Sequence, residues 1–77
     1  MEDRIRALFA TVLQVAPGDI TDETRPSTLA RWDSMQHLIL VSSFEEEFQV
    51  ELEPEEAVDM YTSYATFKRM VLQKLER

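Results

Sequence analysis

The stretch Trp32-Asp33-Ser34-Met35-Gln36-His37-Leu38 sets the frame for the whole chain. Asp33 is a strong helix N-cap type, because its carboxylate can accept the orphan amides of a first turn. Gln36, three residues on, completes a capping-box pattern. A helix is therefore predicted from Ser34 to about Phe48, with Ser34 at its first position. Met35, Leu38, Val41, Phe44 and Phe48, with Ile39 and Leu40 beside Val41, give it a broad apolar face. The run Glu45-Glu46-Glu47 falls near the end of this helix, where the dipole disfavours acids. That misfit points to a use other than helix stability, solubility included.

On the N-terminal side, a first helix is predicted from Glu2 to about Val15. Ile5, Leu8, Phe9, Val12 and Leu13 recur at helical spacing, and Glu2 and Asp3 suit the positive end of the dipole. Pro17 and Gly18 are read as its stop. The connection from Ala16 to Trp32 is rich in turn and capping types, among them Pro17, Gly18, Asp19, Thr21, Asp22, Thr24, Pro26, Ser27 and Thr28. Loops longer than about 12–15 residues are uncommon in compact domains unless they serve a function. Ile20 and Leu29 are its expected anchors to the core.

On the C-terminal side, Gln49-Val50-Glu51-Leu52 reads as a loop whose Val50 and Leu52 plug the core, since a lone strand has no partner. Pro54 suits the first turn of a short third helix running to about Met60. A fourth helix follows from Ser63 or Tyr64 to Leu75, capped by Ser63. Tyr64, Phe67, Val71 and Leu75 form its buried stripe, flanked by Met70, and Lys74 and Arg77 suit its negative end. The expected fold is all-α: a four-helix bundle with a short third helix and a long loop between helices one and two.

Seventy-seven residues make a single domain, 1–77. A chain this short buries only roughly 60% of its unfolded surface, which leaves little room for a deep active site. There is no cysteine and one histidine, so disulfides and thiolate metal sites are excluded and no zinc site is expected. No apolar run approaches the roughly 20 residues needed to span a bilayer. Nor does the N-terminus read as a secretory leader. A soluble, cytoplasmic protein is expected. The net charge is −7, and residues 45–59 carry eight of the acids without one Lys or Arg. Such a surface repels nucleic acid and attracts basic patches on protein partners; it also serves plain solubility.

Ser34 admits four readings. It can be a structural first-turn residue. It can be a nucleophile with His37 one turn along, but Asp33 is committed to the cap. The nucleophile reading also lacks a G-x-S-x-G elbow, an oxyanion hole and an evident substrate pocket. It can be a regulatory phosphorylation site. Or it can bear a phosphate-linked prosthetic arm, because free amides and the positive dipole end stabilise a phosphodiester there.

The same stretch resembles the Asp-Ser-Leu signature of acyl carrier proteins and their peptidyl carrier relatives. The likeness runs along nearly the whole chain. Leu13 to Ile20 is similar to the family's first loop entry. Phe44-Glu45-Glu46-Glu47-Phe48 resembles the acidic end of its second helix. Leu52 to Met60 resembles the short acidic third helix, and Tyr64 to Val71 the fourth. The resemblance implies that Ser34 bears 4'-phosphopantetheine, attached by a separate phosphopantetheinyl transferase that uses coenzyme A and magnesium. Asp33 then caps the helix and contacts that transferase. Met35, in place of the usual leucine, sits half exposed beside the arm. Trp32 stands where fatty-acid carriers have a small residue or glycine, and is expected to shield the loop–helix junction. His37 is expected to be a solvated helix residue. Ile39, where fatty-acid carriers have an acid, and Ser42, where they have an apolar residue, suggest a specialised carrier. Ile39 is placed in the partner-binding surface with Glu45, Glu46, Glu47, Glu55 and Glu56.

The function implied is a free-standing, monomeric acyl carrier protein rather than an enzyme. It would hold acyl intermediates as thioesters for partner enzymes of fatty acid, polyketide or related biosynthesis. The arm would supply the thiol that the chain lacks, and the helices could open to shelter a growing chain. An aminoacyl or peptidyl carrier is the alternative within the family. An acidic helical adaptor without covalent cargo is the alternative from another class. Neither metal, nucleic acid nor membrane is expected as a partner.

Overall fold

A computed structural model describes residues 1–76; Arg77, assigned above to the end of the fourth helix, lies outside the described residues. The elements are α1 (Glu2–Leu13), a single 3-10 turn (Pro17–Asp19), α2 (Ser34–Phe48), α3 (Pro54–Met60) and α4 (Tyr64–Leu75). There is no strand among the described residues. None of the helices is long and apolar enough to cross a membrane.

The caps account for most of these boundaries. The Asp33 carboxylate accepts from the Gln36 amide at 2.8 Å, and the Ser63 hydroxyl accepts from the Thr66 amide at 3.2 Å. Asp33 therefore caps α2, but the reciprocal bond from the Gln36 side chain is missing, so the expected capping box is only half made. A complete one forms at α3 instead. There Glu53 and Glu56 cap each other's backbone, with Pro54 at the first position.

Pro17 and Gly18 do not end α1. Its last residue is Leu13, and Gln14 turns into the left-handed region with φ 60°. The Val15 amide then closes back on the Ala10 carbonyl at 3.0 Å. α2 ends the same way: Gln49 has φ 57°, and the Val50 amide reaches the Glu45 carbonyl at 3.2 Å. Both stops are of the kind glycine usually provides.

Phe9 is the centre of the core. Its ring meets Trp32, Tyr64 and Phe67 edge-on at 5.0, 4.9 and 5.1 Å, and Phe67 meets Phe44 at 4.8 Å. Edge-to-face pairs place a positive ring edge on a negative ring face, worth ~0.5–1.5 kcal/mol each beyond the area buried. α1 packs on α2 and α4, while α3 packs on α4.

The long loop is braced rather than loose. The Thr21 amide donates to the Thr24 hydroxyl at 2.9 Å, and the Arg25 amide to that of Thr28 at 3.0 Å. Ile20 is buried and Leu29 half-buried, as their anchoring role requires. The Tyr64 amide donates to the Thr24 carbonyl at 2.8 Å. That bond fastens the loop to the start of α4. Lys68 adds a second fastening, to Asp22 at 2.9 Å and Glu2 at 3.2 Å.

The expected apolar face of α2 is only partly the buried one. The helix turns His37, Leu40 and Phe44 inward, with Val41 and Phe48 half-buried behind them. Met35, Leu38 and Ile39 are exposed. α2 thus carries two apolar stripes, one for the core and one for the surface around Ser34.

Candidate functional site

Ser34 is exposed, at the first position of α2. The loop delivers it there through Trp32, which is sunk in the core at 1% exposure. Asp33 follows with extended backbone (φ −111°, ψ −179°). Its side chain takes the Gln36 amide, and its carbonyl takes the His37 amide at 2.8 Å. The amides of Ser34 and Met35, the first two of the helix, have no acceptor within the turn. No acid lies within the first turn of α2, so the capping Asp33 carboxylate alone faces its positive dipole end.

Beside Ser34 runs an open groove of ≈ 550 Å³ between α2 and α3. Met35, His37 and Leu38 line it from α2, Pro54, Ala57 and Val58 from α3, and Tyr61 from the turn beyond. The surface is almost wholly apolar, and Met35, Leu38 and Val58 stand at its edges with about 70% exposure (71%, 69% and 72%). Met35 is therefore more exposed than the half expected. The sequence reading gave no pocket, because it treated Leu38 as core and did not assign Ala57, Val58 or Tyr61 to any site. Two apolar stripes on α2 facing a short helix begun by proline were the available signal.

His37 corrects the reading most clearly. It is not solvated but 5% exposed. Its Nδ1 accepts from the Trp32 indole N–H at 3.1 Å, and its Nε2 lies 2.7 Å from the Ala57 carbonyl oxygen. Burial holds the imidazole below its ordinary pKa, opposed by the Ala57 bond. A buried indole needs an acceptor, and the histidine five positions on was the nearest candidate in sequence.

The acids assigned to partner contact divide into two sets. Glu46, Glu47 and Glu55 are exposed, with Glu47 in a loose surface pair with Arg4 at 3.5 Å. Ile39 is exposed as well. Glu45 and Glu56 are half-buried and already engaged. Glu45 accepts the Leu52 amide at 2.9 Å. Glu56 accepts the Glu53 amide and pairs with Lys74, each at 2.9 Å.

A phosphate-linked arm fits these residues. The hydroxyl is open to solvent at the first position of a helix, and an apolar groove begins at the same serine. A comparison with curated proteins finds no match. The sequence does match the family described as phosphopantetheine attachment site, over residues 3–71. The chain belongs to that family, whose members carry a covalent 4'-phosphopantetheine group and act as carriers rather than catalysts.

Proposed function

We propose that Ser34 is the residue that bears the arm, and that the protein is an acyl carrier serving fatty acid, polyketide or related biosynthesis. The observation that carries this reading is a serine hydroxyl exposed at the first position of α2, at the mouth of an apolar groove. When attached, the group supplies the thiol on which cargo is held as a thioester. The chain's own residues do the rest. Asp33 fixes the backbone that presents Ser34, and the Ser34 and Met35 amides favour a negative phosphodiester. Met35, Leu38 and Val58 offer an apolar surface on which an acyl group sheds water.

A phosphopantetheinyl transferase and acyl-transfer enzymes are the proposed partners. Ile39 and the exposed acids Glu46, Glu47 and Glu55 would meet their basic patches, and half-buried Glu45 and Glu56 add charge to the same face. The apolar character of the groove supports an acyl cargo over a polar aminoacyl one.

The test is intact-mass measurement after incubation with coenzyme A, magnesium and a broad-specificity transferase. One phosphopantetheine is expected on the wild type, localised to Ser34 by fragmentation, and none on Ser34→Ala. A wild type that gains no mass would leave only the non-covalent adaptor. A native thioester found to be aminoacyl would move the protein to the peptidyl branch.

A further inference from the structure

Trp32 and His37 are the only tryptophan and the only histidine of the chain, and they are bonded to each other in its interior. The partners on either side of the imidazole fix its protonation. An indole nitrogen only donates, and a carbonyl oxygen only accepts. With Trp32 at 3.1 Å from Nδ1 and Ala57 at 2.7 Å from Nε2, the ring is neutral and carries its proton on Nε2. A second proton, on Nδ1, would meet the indole N–H donor to donor, and that bond must break.

This chain of bonds joins three pieces: the end of the long loop, the head of α2 and the middle of α3. A tie of α3 from Glu56 to Lys74 runs to α4 instead. His37, Ala57 and Tyr61 also line the groove beside Ser34. Among the described residues no carboxylate is bonded to the ring, and only the Ala57 carbonyl would favour an imidazolium. Trp32 faces it from the loop, Tyr61 from beyond α3 at 4.8 Å between centroids, and Phe67 from α4 at 6.1 Å. None of these three neighbours carries a carboxylate. The Asp33 carboxylate is turned away, onto the Gln36 amide.

We propose that Trp32 and His37 form a proton-sensitive latch: neutral His37 holds the end of the long loop to the head of α2, and protonation breaks the bond to Trp32 and loosens the loop end that presents Ser34, while the bond to the Ala57 carbonyl is kept. The latch acts by positioning and has no part in the attachment chemistry. Its existence is independent of what Ser34 carries; its effect on cargo rests on the reading of Ser34 given above. The linkage has a definite sign. The folded-state pKa lies below the ordinary 6.5, so the stability due to the neutral ring is complete above that value. It is lost as pH falls through the folded-state pKa.

The experiment uses the full chain without the arm, so a failure of Ser34 loading cannot be mistaken for a failure of the latch. Nitrogen NMR should show the Nε2–H tautomer at about pH 8 and a His37 midpoint below 6.5. Trp32 emission should titrate with the same midpoint. Hydrogen-exchange protection of the Trp32 amide, which bonds the Leu29 carbonyl, corrected for intrinsic rate, should fall about tenfold per pH unit below it. His37→Gln keeps a donor for Ala57 but cannot titrate, and should hold Trp32 emission flat from about pH 8 to about pH 5. Trp32→Phe removes the donor to Nδ1 and should raise the His37 midpoint. The latch is overturned if Trp32 emission ignores the titration of His37, or if the wild-type midpoint lies at or above 6.5. It is equally overturned if His37 stays neutral until the whole bundle unfolds.

Discussion

Tyr64 shows how a single buried oxygen can work against the fold that holds it. Its ring is fully buried against Phe9, yet its hydroxyl meets no hydrogen-bond partner among the described residues. Burial pushes the phenol's ionisation up, opposed by the Arg6 guanidinium, which lies close to the oxygen without making a well-formed hydrogen bond. An unsatisfied buried hydroxyl costs ~1–3 kcal/mol. Tyr64→Phe keeps the ring and removes the oxygen, so it is expected to raise the unfolding free energy by about 1 kcal/mol. Urea denaturation reads this directly, and a loss of stability would reveal a bond that the geometry does not contain. Ser34 is the opposite case, an exposed hydroxyl with no side-chain hydrogen bond among the described residues. Ser34→Ala is expected to shift stability by no more than about 0.5 kcal/mol in the same assay. Loss of loading in that variant then reports chemistry rather than unfolding.

At the scale of the element, the acids closing α2 are not equivalent. Glu45 holds the Leu52 amide, so it fixes the path from α2 toward α3, whereas Glu46 points to solvent. Glu45→Ala is expected to cost ~1–2 kcal/mol, Glu45→Gln less because an acceptor remains, and Glu46→Ala close to nothing. Thermal or urea melts of the three variants check the order. The same helix shows what can be read from a sequence and what cannot. Its start was legible because Asp33 is a cap type in front of an apolar-periodic run, and Pro54 and Ser63 marked α3 and α4 for the same reason. Its inward face was not legible, because Leu38 and Ile39 are as apolar as Leu40 and Val41. Periodicity finds an apolar stripe but does not rank two of them; packing against Phe9 and Phe67 does. His37 was misplaced because a polar residue type suggests solvent until the indole it must satisfy is considered. The end of α1 was misplaced by two residues, since a left-handed glutamine leaves no mark comparable to Pro17-Gly18. For the candidate site, the serine was visible in seven consecutive residues, while the groove was not. Its two walls come from α2 and α3, brought together only by the fold.

For the molecule as a whole, the net charge of −7 on so small a body makes long-range attraction a large part of any meeting with a basic partner. The apparent kcat/KM for loading by the proposed transferase is expected to fall severalfold as ionic strength rises from about 0.05 to about 0.5 M, with kcat nearly unchanged. A rate indifferent to salt would place recognition in the apolar contacts of Met35, Leu38 and Ile39 instead. The core has a further consequence for how the protein is made. Phe9 emerges from the ribosome early, but two of the three rings that cover it, Tyr64 and Phe67, belong to the last helix. The bonds that fasten the loop also wait for that helix, through the Tyr64 amide and Lys68. A nascent chain that stops short of α4 leaves Phe9 and Trp32 uncovered, so the bundle closes only after α4 has been made, and chains interrupted before it are marked for disposal by the apolar surface they still show.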